Sequence, residues 1–188
     1  IYVHGYLTID GQKMSKTIGN VVNPAGLINI FGSDPLRYYL LREVPSNKDG
    51  NFSERRFKEL YNSDLANGLG NLVSRTAKLL EINDVSYGKR DLKEFSKEVE
   101  KGLEVYRFDL GLKAIWEKIS SLDKYIHEKK LWEKTGNGQH ELWIQLIDGI
   151  RQIAFDLQPF LPQTSDKITK HFEGPKIKSF APLFPRVK

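Results

Sequence analysis

At 188 residues, 39% hydrophobic and 28% charged, the chain has the composition of a globular protein and not of a disordered one. Its formal charge of +5 suits nucleic acid but equally suits many enzymes, and no run of like charge forms a polybasic tail. No apolar stretch approaches a membrane span, no repeat period is present, and the absence of cysteine excludes a disulfide scaffold and any thiolate metal site.

Residues 1–10 alternate β-branched and aromatic side chains with others and read as a strand, ended by the Asp10-Gly11 turn. A polar loop bracketed by glycines follows, from Gln12 to Asn20. Asn23-Pro24 starts a short helix over 25–31, and Asp34-Pro35 starts another, with Asp34 as its cap and an end near Pro45. Ser46 to Phe52 reads as a polar, turn-rich connection. From Ser53 the apolar positions Phe57, Tyr61, Leu65, Leu69, Leu72, Val73, Ala77 and Leu80 predict one long amphipathic helix. Further helices are expected over roughly 90–104, with a solvated charged face, and over 108–129, with Leu110, Leu112, Ile115, Ile119, Leu122 and Ile126 inward. Two more are expected over 140–158 and 163–172, before an extended proline-containing tail.

Within this framework, Lys13 and Lys16 lie three apart on the glycine-flanked loop, so both ammonium groups can reach one polyphosphate as point charges. From spacing alone, the same pair reads as a solvated basic turn. Asn67, Asn71 and Arg75 stack at i, i+4, i+8 on a face turned from the apolar stripe. Amide groups and a planar fork suit unpaired base edges, although spacing alone favours a polar solvated face or a helix–helix network. Trp132 follows the basic run His127-Glu128-Lys129-Lys130 and offers either a base-stacking platform or ordinary packing; Trp116 and Trp143 sit in apolar patterns and read as core. The four histidines show no metal spacing.

Lys13-Met14-Ser15-Lys16-Thr17 resembles the KMSKS signature of class I aminoacyl-tRNA synthetases, with Thr17 in place of the final Ser and its hydroxyl kept. The flanks Val3-His4-Gly5-Tyr6-Leu7-Thr8 and Gly19-Asn20-Val21-Val22-Asn23-Pro24 extend the match. Asp34-Pro35-Leu36-Arg37-Tyr38-Tyr39-Leu40, Tyr61 to Asn67, Gly70 to Arg75, and Lys124-Tyr125-Ile126 leading to Leu131-Trp132 are similar to the methionyl-tRNA synthetase family, so the resemblance covers the whole chain. Leu131 stands where that family usually has proline.

The resemblance implies a mainly α protein. Residues 1–50 would be the end of the catalytic domain, a short β and loop segment with the stem-contact region; residues 51–188 would be the antiparallel helical bundle that binds the anticodon. It implies ATP contacts for Lys13, Met14, Ser15 and Lys16, with Lys13 and Lys16 as the catalytic pair facing charge that grows on the phosphates. It carries anticodon contacts to Asn71, Arg75 and Trp132, and leaves Asn67 evenly between an RNA contact and an interhelical hydrogen bond. The implied partners are tRNA(Met), with ATP (and Mg2+ in the parent enzyme) and methionine held through a catalytic half, in a cytoplasmic enzyme with no metal site in this chain. The start at Ile1 is expected of a piece of a longer polypeptide. The family's HIGH motif and zinc-binding insertion would precede it, so the isolated chain is expected to be inactive. Two alternatives remain: a related class I synthetase of leucyl or cysteinyl type, and a stand-alone tRNA-binding module without catalysis.

Overall fold

The computed structural model describes residues 3–15, 17, 19–92, 94–134 and 139–187. Leu7–Ile9 (β1) and Gln12–Lys13 (β2) pair antiparallel through Asp10 and Gly11, at φ 46° and 80°. Two successive positive φ angles match the twist of the flanking strands, which is why Asp-Gly suits this turn. A third strand, Gly50–Phe52 (β3), lies parallel to β1, giving the order β2-β1-β3. The segment expected to be a polar connection therefore ends in a strand. Its Asn51 side chain ties the hairpin, accepting from the Gly11 N–H at 2.8 Å and the Thr8 hydroxyl at 3.1 Å.

Pro24–Phe31 (α1) begins on Asn23, whose side chain accepts from the N–H groups of Ala25 and Gly26. Ser33–Glu43 (α2) starts before Asp34, so Asp34 does not cap its own helix. Its carboxylate is buried and accepts the Thr164 N–H at 2.6 Å. Thr164 lies in the first turn of Pro162–His171 (α8), where unpaired N–H groups and the helix dipole favour an anion. Asp34 thus serves a helix 130 residues further on. Arg37 reinforces the junction, donating to the carbonyls of Phe160 and Pro159, both at 2.8 Å.

The long helix from Ser53 is wound in two ways. Glu54–Leu60 (α3) and Asn71–Ile82 (α4) are α-helical, but Tyr61–Gly70 between them is a π-helix. Positions 57, 61, 65 and 69 repeat every four residues, which on an α-helix drifts about 40° per step. Widening the turn reduces that drift, and Phe57, Tyr61, Leu65 and Leu69 are all buried.

Lys97–Glu104 (α5) packs on Phe108–Glu128 (α6), and His140–Asp156 (α7) on α8. The expected helix over 90–104 is shorter than read, because the described residues before Ser96 are irregular. The Ser96 N–H and hydroxyl instead bind the buried Asp156 carboxylate, at 2.9 and 2.6 Å. Gly102 and Gly111 let the backbones of α5 and α6 touch: a Cβ on Gly102 would lie 2.9 Å from the Gly111 nitrogen. Leu110, expected inward, is exposed. Trp143, Leu146, Ile147, Ile150, Ile153, Leu157 and Phe160 form the buried centre with Leu112, Ile115 and Ile119. Trp116 is half-buried and stacks on Tyr38 at 4.5 Å between centroids.

The tail is extended, as expected, and it is held. It returns along the π-helix and α4, burying Ile177 and Phe184. The Tyr61 hydroxyl donates to the Pro185 carbonyl at 2.8 Å, and Asn62 exchanges two hydrogen bonds with Val187. Among the described residues, no helix is long and apolar enough to cross a membrane.

Candidate functional site

The β1–β2 hairpin projects the loop that carries Lys13, Met14 and Ser15. Asn20 closes this loop on itself: its carbonyl oxygen accepts the Ser15 N–H at 2.8 Å, and its amide donates to the Lys13 carbonyl at 3.1 Å. Gly19, at φ 75°, donates its N–H to the Ser15 carbonyl, a bend that disfavours a side chain. Lys13 points to solvent, while Met14 and Ser15 are half-buried. Lys16, the second lysine of the pair, lies outside the described residues. The loop thus presents a cation on a backbone pinned at both ends by one asparagine.

The second locus lies where α4 crosses α6. Asn67, in the π-helix, and Asn71, which opens α4, are exposed. Arg75, one turn further, leans onto α6: its Nη1 is 3.2 Å from Asp123 Oδ1 and 3.3 Å from His127 Nε2. Its Nη2 is buried and has no partner among the described residues. The predicted polar stripe therefore holds at 67 and 71 and becomes a helix–helix contact at 75.

Past the end of α6, Lys130 takes a left-handed φ of 46°, and Leu131–Glu133 form one 3-10 turn. Leu131 is fully buried, so the chain is anchored immediately before the tryptophan. Trp132 stays 51% exposed, and its ring meets that of His127 edge-on at 5.4 Å between centroids. The structure thereby brings Arg75, Asp123, His127 and Trp132 into one cluster, with Asn71 one turn away. Beside Asn71 a groove of about 300 Å³ runs between α4 and the tail, bordered by Ser74, Phe184 and Arg186.

Such a cluster can donate from a fork and an amide, and can stack an aromatic ring, next to lysines at 129 and 130. A family model described as "tRNA synthetases class I (M)" matches residues 1–77. A methionine–tRNA ligase of Clostridium acetobutylicum is 40% identical over 186 residues, covering 89% of this chain and 29% of that protein. One of Bacillus subtilis is 34% identical over 226 residues, covering 100% of this chain and 34% of its own.

The chain belongs to the methionyl-tRNA synthetase family. It spans about a third of the length of the curated relatives it matches. Among solved structures, methionyl-tRNA synthetase of Mycobacterium tuberculosis bound by methionyl-adenylate superposes with a TM-score of 0.79 at 27% identity. The match covers 97% of this chain and 43% of that one. The relatives named here are all methionine enzymes, which decides against the leucyl and cysteinyl alternatives.

For a methionyl-tRNA synthetase family chain, three participants escaped the sequence reading. Asn20 lay in the quoted flank, yet its role as loop clasp needs two hydrogen bonds that no periodicity reveals. Asp123 and His127, at i, i+4 on α6, were legible as one helix face; what was missing was the knowledge that Arg75 meets it. Among the described residues no group of three or more His, Asp or Glu side chains is placed to hold a metal ion.

Proposed function

We propose that this chain is the anticodon-reading and ATP-loop portion of a methionine–tRNA ligase, the enzyme that joins methionine to tRNA(Met) with ATP. The observation that carries this reading is the Arg75–Asp123–His127–Trp132 cluster: an exposed indole and a braced guanidinium on adjacent elements, one turn from the exposed Asn71. Unpaired anticodon bases can be splayed out, stacked on Trp132 and read at their edges by Arg75 and Asn71. Asn67 is exposed as well and is available to the neighbouring RNA backbone.

Residues 1–50 are read as the end of the catalytic domain and residues 51–188 as the anticodon-binding domain. Val3, Tyr6, Val21, Ile28 and Ile30 are all exposed, and this much uncovered apolar side chain within residues 1–50 supports the division, because it suits burial against further protein. Lys13 and Lys16, with Met14 and Ser15, face the polyphosphate of ATP. Their charge is worth most when negative charge grows on the phosphates, so they act on the transition state more than on binding. The 188 residues by themselves then bind RNA without activating methionine.

The test is a contrast among substitutions, read as affinity for a CAU anticodon stem-loop and for one with an altered anticodon. Trp132→Ala weakens the CAU loop by about 1–3 kcal/mol. Arg75→Ala and Asn71→Ala shrink the gap between the two RNAs. Lys129→Ala and Lys130→Ala weaken both alike and flatten the salt dependence. Five substitutions that all weaken both RNAs equally would reduce the site to an electrostatic footprint.

A further inference from the structure

The widened turn of Tyr61–Gly70 carries part of the reading face. Asn67 lies within it, and the Asn71 N–H still donates to the Ala66 carbonyl, five residues back. Each residue of such a winding turns less than in an α-helix, so ten residues rewound as α would rotate by about half a turn more. The hydrogen-bond register of 61–70 therefore decides where Asn67 stands against Asn71. Windings of this kind rarely exceed one turn, so a longer one needs an outside hold. That hold comes from α2. The Tyr38 hydroxyl donates to Asp64 Oδ2 at 2.7 Å, and Arg42 Nη1 donates to the same oxygen. Asp64 Oδ1 accepts the Ser63 hydroxyl at 2.7 Å. One carboxylate inside the widened turn thus takes three donors, two of them from a neighbouring helix. Its side chain is only 17% exposed, too covered to meet RNA itself. Trp116 of α6 closes the other side: it stacks on Tyr38, and its indole nitrogen is 3.7 Å from where a Cβ on Gly68 would stand. A Cβ on Gly70 would come within 2.9 Å of the Leu65 carbonyl oxygen, so the winding also needs glycine there.

We infer that Asp64 is a positioning residue for anticodon reading: clamped by Tyr38 and Arg42, it keeps the wide winding and so sets Asn67 and Asn71 in register. The inference rests on the RNA-reading function proposed for Asn71 and its neighbouring cluster. The buried stripe from Phe57 to Leu69 holds this helix on the core, but the clamp is what ties the middle of the widened turn to α2. Without the carboxylate, Tyr38 and Arg42 lose their common acceptor, and 61–70 relaxes toward the commoner α register. Asn67 then swings away from Asn71. Discrimination between anticodons drops, while the attraction of lysines to phosphates, which carries no sequence information, stays.

The test compares Asp64→Ala, Asp64→Asn and Asp34→Ala in the 188-residue chain, at a temperature where all are folded. Asp34→Ala loosens α2 near its start and controls for lost stability alone. Two quantities are followed: amide exchange over 66–71, and the ratio of affinities for a CAU stem-loop and one with an altered anticodon. Asp64→Ala speeds exchange at 66–71 beyond the rest of the bundle and lowers the ratio about three- to tenfold, the weight of one such hydrogen bond. Asp64→Asn keeps an acceptor without the charge and restores most of both. Asp34→Ala leaves the ratio unchanged and adds no local excess of exchange. Combined with Asn67→Ala and Asn71→Ala, Asp64→Ala costs no further discrimination, because the clamp acts through those side chains. Should Asp64→Ala fail to fold, Tyr38→Phe removes one donor and gives a smaller loss of the same sign. A clamp variant that discriminates as wild type does overturns the inference. So does Asp64→Asn as poor as Asp64→Ala, which would point to charge, or a full further loss in the combined variant. Each of these leaves the anticodon reading in place. Wild type that fails to distinguish the two RNAs overturns the reading beneath it, and the inference with it.

Discussion

Asp34 shows how one side chain can fasten two distant helices. Its buried carboxylate takes the Thr164 N–H in the first turn of α8, where N–H groups lack partners within the helix and Pro162 brings none. Asp34→Ala should lower stability by about 1–3 kcal/mol, measured as a shift in the denaturant midpoint, because it leaves that buried N–H unpaired. A change within error would mean that Arg37 and the surrounding packing hold the junction unaided. Tyrosines give a second residue-scale outcome. Burial, with the Asp64 carboxylate beside it, pushes the Tyr38 hydroxyl far above the ordinary tyrosine range, against the pull of Arg42. Burial also raises Tyr39, Tyr61, Tyr87 and Tyr125. An acid raised in this way stabilises the fold below about pH 10, the unfolded value, and that stability is lost as pH climbs toward the folded value. Denaturation midpoints should therefore fall between about pH 9 and pH 11; a flat profile would contradict the burial of these hydroxyls. For catalysis, Lys16→Ala in the full-length protein should slow methionine activation on the order of a hundredfold with little change in methionine KM. Wild-type activation kinetics would remove Lys16 from the ATP site.

At the scale of elements, much of the bundle was legible because the amphipathic period matches the residues that folding buries. The stripe from Phe57 to Leu80 is buried at every position named from the sequence. The π winding was not legible, since the choice between two hydrogen-bond registers depends on what the widened turn packs against. Strand β3 was hidden for another reason: Gly50-Asn51-Phe52 is too short for a pattern and exists by pairing with β1. The junction of α2 was equally invisible, because Asp34 and Arg37 act across more than 120 residues. These contacts make α2 part of the bundle's support, with Tyr38 and Tyr39 almost fully buried. A chain begun at Gly32 should unfold cooperatively, whereas one begun at Ser53 should melt at lower temperature, having lost the α8 junction and the aromatic pair. Equal melting temperatures would show that α2 contributes no stability.

Across the whole molecule, two candidate loci lie on one continuous scaffold: a clasped lysine loop on the hairpin, and the cluster where α4 meets α6. The tail binds the π-helix and α4 through Tyr61 and Asn62, so the groove beside Asn71 has a second wall. Of the two loci, the motif made the loop conspicuous, whereas only folding assembled the cluster, from Arg75 on one helix and Asp123 and His127 on another. Anticodon reading by this cluster can be tested by titrating the wild-type chain. CAU stem-loop and three loops, each altered at one anticodon base, are added at fixed salt, with Trp132 emission and affinity followed together. The CAU loop should bind tightly and quench the emission, with each altered base costing affinity. Equal affinity for all four loops, or emission unchanged on binding, would contradict it.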